Sequence, residues 1–394
     1  MKITVPTIDF GTSKIVTMVA QSNGERCDIV GSGAVPYSGY LQDGWNNPDE
    51  IRDVIRTAID QAQKTGNCRI HELNVGVPGM FTRVIVKEVH VSLTGPDPHV
   101  TAQDVRACFK LAEESGGDRI IHSAPAWFRV DDGKKTLSPV GIKGRELSAM
   151  IALVTADKYF IDDITYRLRD MDIEPREFYS TVAGEATYAL SQDERDKTAM
   201  LIDIGYLCND VMVMEGDALI FHKCLDIGGG HISADIAEQL NIPFPFVEEK
   251  IKQTYSFNST NQDETYVIPA TEDEPARTVR RDEVTPIIEA KVEEIAEAIN
   301  KALEEGGVKL GKWSNVYLAG GGLILNKGGK DFLAGKLHRI IREAQRTNNK
   351  MTSHVFSSAV GLTILVVTTQ EEQKAPEGGA KGLFSRAFRW LMGY

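Results

Sequence analysis

Short apolar segments alternate with amphipathic segments along the chain, which is the pattern of an α/β protein. Apolar residues at helical spacing predict helices over 48–64, 102–114, 157–170, 231–240, 246–254, 283–305 and 331–345. Apolar and β-branched runs predict strands over 3–10, 14–20, 73–77, 84–86, 89–91, 151–154, 199–205, 211–214, 266–268 and 316–319. Because residues 199–214 repeat the strand–turn–strand pattern of residues 3–20, the sequence predicts an internal duplication.

The first of the two turns carries an aspartate and several hydrogen-bond donors. It runs Asp9-Phe10-Gly11-Thr12-Ser13-Lys14. A turn of this kind directs successive backbone N–H groups to one point, which suits phosphate oxygens. Asp9 offers a carboxylate for Mg²⁺, directly or through water. The hydroxyls of Thr12 and Ser13 and the charge of Lys14 complete a predicted phosphate and metal site.

The second turn repeats the aspartate and glycine as Asp203-x-Gly205, so Asp203 is the second predicted metal ligand. A third glycine element, Gly320-Gly321-Gly322, follows the strand over 316–319, and these glycines would let the backbone lie flat against a ligand. An ordinary β-turn is the alternative interpretation of one Asp-x-Gly, because such turns favour both residues. The duplication and the third glycine element favour a nucleotide site. The sequence contains no GxxxxGK[ST] and no clean GxGxxG between a strand and a helix, which excludes a P-loop and disfavours a dinucleotide fold.

The three elements in this order resemble the phosphate-1, phosphate-2 and adenosine motifs of the actin, sugar-kinase and chaperone ATPase superfamily. Within it, several further segments are similar to one family, the bacterial cell-division proteins FtsA. The segments are Val35-Pro36 with 39–44, His122-Ser123-Ala124-Pro125 with 139–144, and 227–237, 249–252 and 288–294. The resemblance covers nearly the whole chain.

This resemblance implies an α/β, actin-like fold of two lobes, duplicated and ribonuclease-H-like, with a nucleotide between the lobes and an FtsA-type inserted subdomain. The resemblance also implies that Gly229, Glu249 and Lys252 contact the nucleotide. Glu249 and Lys252 lie in the segment that touches the ribose in this family. The expected organisation is a first-lobe core over 1–81, 151–195 and 346–370, the inserted subdomain over 82–150, a second-lobe core over 196–240 and 308–345, a small subdomain over 241–307, a linker over 371–381 and a terminal helix over 382–394.

The second turn departs from the family pattern D-x-G-G-G-T-T. Here Tyr206 and Leu207 replace two glycines, and both threonines are missing, although Asn209 remains a hydrogen-bond donor. Side chains at these positions would crowd the phosphates. The sequence therefore predicts ATP and Mg²⁺ binding with at most slow hydrolysis, and it assigns no catalytic residue.

The C-terminal segment changes character twice. Residues 370–379 contain no large apolar side chain, which predicts a flexible linker. The pattern of residues 382–394 predicts an aromatic amphipathic helix with arginines on its polar face, which is typical of an anchor on an anionic membrane surface. Docking on the core of the chain itself is the alternative. The predicted membrane residues are Leu383, Phe384, Arg386, Phe388, Arg389, Trp390 and Leu391.

Three basic residues near the start of the predicted helix over 283–305 form a candidate partner site: Arg280, Arg281 and Lys291. The resemblance implies that this region grips the acidic C-terminal tail of the tubulin-like protein FtsZ. A solvated helix face is the alternative. The resemblance also implies membrane-bound filaments of the protein itself and contacts with other divisome proteins.

Charge and cysteine usage limit the other function classes. The 394 residues carry a formal net charge of −12, which argues against a nucleic-acid partner. The five cysteines include no CxxC pair, which favours a reducing compartment. The N-terminal residues lack the basic and apolar pattern of a signal peptide, so we expect none, and no apolar stretch reaches membrane-spanning length. We therefore expect a cytoplasmic protein, peripheral on the inner face of the cell membrane at the division site.

Two alternative functions share the predicted fold. One is an assembly platform of the pilus or secretion machinery, and the other is a sugar or acid kinase of the same superfamily. The amphipathic C-terminus favours the cell-division function, because a kinase has little use for a membrane anchor.

Overall fold

The computed structural model describes residues 3–24, 26–42, 44–117, 119–261, 263–270, 275–311, 314–344 and 353–374. The strands are β1 (Ile3–Phe10), β2 (Lys14–Ser22), β3 (Cys27–Pro36), β4 (Tyr40–Leu41), β5 (Gly44–Trp45), β6 (Glu72–Val77), β7 (Thr82–Ser92), β8 (Ile120–Val130), β9 (Glu146–Ala156), β10 (Glu174–Ser180), β11 (Ala199–Ile204), β12 (Asn209–Glu215), β13 (Ala218–Leu225), β14 (Thr265–Ile268), β15 (Arg277–Arg280), β16 (Asn315–Ala319) and β17 (Ile341–Glu343). The helices are α1 (Ile51–Gly66), α2 (Ala102–Glu114), α3 (Lys158–Arg169), α4 (Thr181–Ala189), α5 (Gln192–Arg195), α6 (Gly229–Gln239), α7 (Phe244–Phe246), α8 (Arg281–Glu305), α9 (Gly329–Leu337) and α10 (Ser357–Lys374). A π-helix over Val247–Lys252 follows α7.

The chain divides into two compact units. Unit 1 takes the described residues of 1–200, 212–222 and 345–394, and unit 2 takes those of 201–211 and 223–344.

Two five-stranded sheets share one strand order. The first runs β10-β6-β1-β2-β3 and the second β13-β12-β11-β16-β17. In each sheet three consecutive strands lie side by side, and two later strands extend the sheet from the first of the three. Strands β1, β2 and β3 are antiparallel neighbours, whereas β6 is parallel to β1 and β10 is parallel to β6. The repeated order confirms the predicted duplication.

Amphipathic helices cover the first sheet as their sequence predicts. Helix α1 buries one face against the sheet, at Ile51, Val54, Ile55, Ala58, Ile59 and Ala62. Phe10, Tyr40, Trp45, Phe81 and Phe160 form an aromatic cluster with ring centroids 5.0 to 6.4 Å apart, for example 5.5 Å between Phe10 and Phe160 and 5.0 Å between Phe81 and Phe160. This cluster supports the end of β1, where the first aspartate turn begins.

A three-stranded antiparallel sheet, β7-β9-β8, interrupts unit 1. Helix α2 packs on it through buried Cys108 and Ala112. A capping box joins Thr101 and Asp104 at the start of this helix, as its predicted N-terminus requires. The segment from β7 to β9 thus has its own sheet, helix and apolar core, and it runs to Ala156, six residues past the expected insertion at 82–150.

The turn between β12 and β13 packs against this inserted sheet. The Asp217 N–H donates to the Pro125 carbonyl at 3.0 Å. Buried Arg195 donates to the Gly216 carbonyl at 3.0 Å and pairs with Asp217 at 3.2 Å. These contacts explain why residues 212–222 group with unit 1, whereas the sequence-based organisation assigned 196–240 to the second lobe as one block.

Three differences from the predicted secondary structure lie in the C-terminal part of the chain. The helix expected over 331–345 ends at Leu337, where His338 adopts a left-handed conformation, and β17 then pairs in parallel with β16. Helix α10 was not predicted, because its run of Val, Ile, Thr and Leu is buried on nearly all sides and has no polar face to give a helical period. The same helix continues through Lys374, into the expected linker.

The predicted membrane helix, 382–394, lies outside the described residues, as do linker residues 375–381. Among the helices that the structure describes, none combines the length and apolarity needed to cross a membrane.

Candidate functional site

The first aspartate turn closes on itself by a backbone hydrogen bond. The Gly11 N–H donates to the Lys14 carbonyl at 3.0 Å. Two tyrosine hydroxyls then donate to carbonyls of the turn, Tyr40 to Phe10 at 3.0 Å and Tyr37 to Gly11 at 2.7 Å. Neither tyrosine contact was predicted from the sequence, although Tyr40 lies in a segment that resembles the FtsA family. These two side chains, together with the Tyr37 N–H that donates to the Ser13 carbonyl at 3.2 Å, hold the backbone of this turn in place.

Asp9 is buried and its carboxylate accepts two hydroxyl donors. Ser358 donates at 2.8 Å and Thr181 at 3.4 Å. Burial raises the pKa of Asp9 above its usual range, although the Ser358 hydrogen bond and the charge of Lys14 act to lower it. A carboxylate held in this way is a ligand prepared for a cation, because a nearby positive charge would offset the cost of burial.

A close approach of two helices places these hydroxyls. A Cβ at Gly184 in α4 would lie 2.9 Å from the Gly361 carbonyl in α10, and a Cβ at Gly361 would lie 2.5 Å from the Cα of Glu185. The two glycines let α4 and α10 pack in contact, which brings Thr181 and Ser358 to Asp9. Sequence reasoning missed both hydroxyls; the signal that could have found them is Gly361 within an otherwise β-branched run.

The remaining predicted donors of the first turn lie within the same six residues. Thr12 is buried, and Ser13 and Lys14 are half-buried. The Lys14 ammonium lies 5.4 Å from the centroid of the Phe356 ring, in a cation–π position. The first turn thus carries a carboxylate, two hydroxyls and an ammonium within six residues, and their role in phosphate and metal binding stays a prediction.

The second aspartate turn closes with the equivalent bond, from the Gly205 N–H to the Cys208 carbonyl at 3.0 Å. Three further carbonyls of this turn accept hydrogen bonds from backbone N–H groups in two glycine-rich segments. Gly322 donates to Ile204 at 2.8 Å, Gly229 to Gly205 at 2.9 Å and Gly230 to Tyr206 at 2.7 Å. Backbone therefore holds this turn where side chains hold the first.

This backbone packing leaves no room for side chains at the glycines. Gly320 has a φ of +81°, and a Cβ there would lie 2.0 Å from Oδ1 of Asp203. A Cβ at Gly322 would lie 2.3 Å from the Gly205 carbonyl. The structure therefore brings together the predicted residues Asp203, Gly205, Gly229, Gly320 and Gly322, with Gly321 between the last two.

Two features of the second turn differ from a phosphate cradle. A Cβ at Gly230 would lie 3.0 Å from Cζ of Tyr206, so this ring lies against the start of α6. Asn209 is fully buried and donates its side-chain amide to the Ile227 carbonyl at 3.1 Å. The predicted donors Asn209 and Gly229 are thus already engaged within unit 2. The donor set of the first turn fits a magnesium-bound phosphate, and that of the second turn does not fit the predicted cradle.

The structure separates the two predicted ribose residues. Glu249 is exposed, whereas Lys252 is buried and pairs with Glu248 at 3.2 Å. Burial lowers the pKa of Lys252, although Glu248 acts to raise it. Glu248 also accepts a hydrogen bond from the Ser233 hydroxyl. Both predicted residues lie on the π-helix, a rare element that is frequent at functional sites.

The three predicted partner residues occupy different environments. Arg280 is exposed and pairs with Asp282 at 2.9 Å. Lys291 pairs with Asp235 at 2.9 Å and with Glu294 at 2.6 Å.

Arg281 is buried and therefore does not fit the predicted role in partner binding. Its guanidinium pairs with Glu264 at 3.0 Å, donates to the Ser256 carbonyl at 2.6 Å and lies 4.3 Å from the Tyr255 ring centroid. These contacts make Arg281 a packing residue of unit 2.

Two sheets of one strand order, each with an Asp-x-Gly turn after its first strand, define an actin-like protein. Solved structures agree with this fold. The PilM–PilN type IV pilus biogenesis complex aligns with a TM-score of 0.62 and 16% identity over 93% of this chain and 99% of that chain. MreB5 of Spiroplasma citri bound to ADP aligns with a TM-score of 0.55 and 11% identity over 95% of this chain and 99% of that chain. At such identities the likeness concerns the fold alone.

Two family models match the sequence, and together they span more than half of it. "Cell division protein FtsA" matches residues 200–361, and "SHS2 domain inserted in FTSA" matches residues 79–155. Cell division protein FtsA of Pseudomonas aeruginosa is 23% identical over 98% of this chain and 97% of its own length. That of Bacillus subtilis is 25% identical over 76% of this chain and 70% of its own length. The chain belongs to the FtsA family of cell-division proteins, which confirms the resemblance and the actin-like fold with an FtsA-type insert.

Proposed function

We propose that this cell-division protein binds ATP, assembles into filaments on the cytoplasmic face of the membrane and tethers FtsZ at the division site. The observation that carries the proposal is the presence, in one actin-like chain, of both the FtsA match and the match to the FtsA-specific inserted domain. Other divisome proteins are expected partners of the same assembly.

The first turn supports nucleotide binding. Asp9 would hold Mg²⁺ beside a phosphate, and Thr12, Ser13 and Lys14 would donate to the phosphate oxygens. MreB5, a protein of similar fold, is bound to ADP or AMPPNP in its solved structures, which is consistent with an adenine nucleotide here. The engaged N–H groups and the Tyr206 ring of the second turn support at most slow hydrolysis.

The proposed partner site on unit 2 contains two of the three predicted basic residues. Arg280 and Lys291 lie at or near the surface, and an acidic FtsZ tail would compete with their present carboxylate partners. Membrane attachment rests on the sequence of residues 382–394, where one short helix binds weakly and several copies on a filament bind strongly.

A pilus-type assembly platform is the second candidate. The TM-score of 0.62 with the PilM–PilN complex favours it at the level of the fold. The alignment with FtsA over 98% of the chain favours cell division. Binding of a peptide with the sequence of an FtsZ C-terminal tail separates the two candidates, because only the cell-division protein should bind it.

The test of the proposed function is co-sedimentation of FtsZ with anionic vesicles in the presence of the full chain and MgATP. We expect FtsZ in the pellet only when the chain is present. Phe388→Glu should abolish the recruitment, because it puts a charge on the apolar face of the predicted helix. Ser385→Glu, which puts the same charge on the polar face, should retain most of it. Equal loss in both variants would remove the membrane helix from the proposal.

Two binding measurements test the other parts. Calorimetry with MgATP should give binding that Asp9→Ala abolishes. Fluorescence anisotropy with the FtsZ tail peptide should give binding that Arg280→Glu and Lys291→Glu weaken. Wild-type protein that leaves the peptide unbound would overturn the FtsZ assignment and favour the assembly platform.

A further inference from the structure

Two cysteines and a carboxylate converge beside the second aspartate turn. Cys208 ends the turn, Asp210 lies in β12, and Cys224 lies in the neighbouring strand β13. The two Sγ atoms and a carboxylate oxygen of Asp210 lie within 4.8 Å of one another. All three residues belong to unit 2. None of them belongs to the predicted nucleotide site.

The spacing of these three ligand atoms is compatible with a bound metal ion. A tetrahedral Zn²⁺ site with Zn–S bonds of about 2.3 Å has ligand atoms roughly 3.8 Å apart. The three atoms lie no more than 4.8 Å apart, so small side-chain rotations can bring them to that spacing. The two thiols are hydrogen-bonded to each other, which keeps their sulfur atoms close together.

The electrostatic surroundings also favour a cation. Three carboxylates, those of Asp210, Asp203 and Asp226, act on the thiol of Cys208. Cys208 is buried and Cys224 is half-buried, so these negative charges are only weakly screened by water. Two sulfur donors and one oxygen donor form a ligand set that zinc prefers over magnesium or calcium.

We propose that Cys208, Cys224 and Asp210 bind one Zn²⁺ ion, with its fourth position open to water. Binding replaces the two thiol protons by the metal and requires no oxidant. The ion would tie the end of the second turn to β13, at the place where the family pattern has a threonine. The site does not depend on ATP binding, so the failure of either proposal leaves the other standing.

The experiment is a Co²⁺ titration of the full chain, purified with a phosphine reductant and stripped of metal with a chelator. We expect one equivalent of Co²⁺ to produce thiolate-to-cobalt charge-transfer absorption, and one equivalent of Zn²⁺ to remove it. Cys208→Ser and Cys224→Ser should each lose the binding. Asp210→Asn should weaken it by about tenfold or more. Cys68→Ser, a half-buried cysteine outside the cluster, is the matched control and should behave as wild type.

Several results would overturn the proposal. They are the absence of charge-transfer absorption, an unchanged band in both cluster variants, or a band that Cys68→Ser removes. Circular dichroism identifies a serine variant that fails to fold. In that case Asp210→Asn decides, because it keeps both thiols: an affinity equal to that of wild type would contradict the site.

Discussion

The two aspartate turns have the same backbone closure and different supports. In both, the glycine after the aspartate donates to the carbonyl three residues later, at 3.0 Å. The carbonyls of Phe10 and Gly11 accept from tyrosine hydroxyls, whereas those of Ile204 and Gly205 accept from backbone N–H groups of Gly322 and Gly229.

This difference shows that the two copies of a duplicated turn can differ in the groups that hold them. The first turn, which side chains help to hold, carries the hydroxyls of Thr12 and Ser13 and the ammonium of Lys14, the groups expected at a phosphate site. A turn held by backbone uses N–H groups that could otherwise meet a phosphate, and it requires glycine at each close approach. The Tyr206 ring at the start of α6 adds to this difference.

The largest expected loss of stability comes from adding a side chain where the glycine run packs against the backbone of the second turn. Gly320→Ala should lower the free energy of unfolding by about 3–5 kcal/mol, because it combines a positive φ with a clash against Asp203. Urea denaturation measures the change. Gly307→Ala is the control, since Gly307 has a φ of +63° and no atom within 4 Å of the added Cβ. It should cost only about 1–2 kcal/mol. Equal losses would mean that the close contact at Gly320 is unimportant.

The next effect removes a side-chain support of the first turn. Ser358→Ala should destabilise the protein by about 1.5–3 kcal/mol at neutral pH, because the buried Asp9 carboxylate loses its donor at 2.8 Å. Chemical denaturation measures it. Ser357→Ala, at the start of the same helix, should change stability much less. A Ser358→Ala variant as stable as this control would show that Asp9 is held by other groups.

A third change makes the second turn more like the family pattern. The expected result depends on the proposed ATP binding. Tyr206→Gly should tighten MgATP binding by about tenfold, because it removes the ring that lies against Gly230. Tyr206→Phe keeps the ring and should bind as wild type does. Calorimetry on the full chain measures both. Affinity that is no tighter in Tyr206→Gly would mean that this ring does not limit binding.

The smallest effect concerns the pH dependence of Asp9. Because burial raises its folded pKa above the unfolded value near 3.8, the charged carboxylate opposes folding at pH values above the folded pKa, and this cost disappears below the unfolded pKa. Asp9→Asn should therefore stabilise the protein by about 1 kcal/mol at pH 7. The gain should shrink as pH falls through the raised pKa towards 3.8. Thermal unfolding at several pH values measures it, and a destabilised variant at pH 7 would contradict the assignment of a burial cost.

Local patterns in the sequence were enough to predict much of the fold. Helices α1, α2 and α8 each bury one face, so their apolar spacing is visible in the sequence. The two Asp-x-Gly turns and the glycine run after β16 are also local. Together they predicted the duplication and the contact of the second turn with the glycine run after β16, whereas Tyr37, Tyr40, Thr181 and Ser358 at the first turn were missed.

Other features depended on contacts between distant segments. Helix α10 has no polar face, because the first sheet and α4 cover it, and its period is therefore invisible. Thr181 and Ser358 reach Asp9 only because Gly184 and Gly361 let two helices touch.

The environment of each polar side chain was likewise set by the fold. Neighbouring Arg280 and Arg281 are equivalent by composition, yet one is exposed and the other is buried against Glu264. Cys208 and Cys224 meet because β12 and β13 are neighbours in the sheet. Periodicity along a chain reports which faces are apolar, whereas the partner of a given side chain depends on which segments pack together, and that is a property of the whole fold.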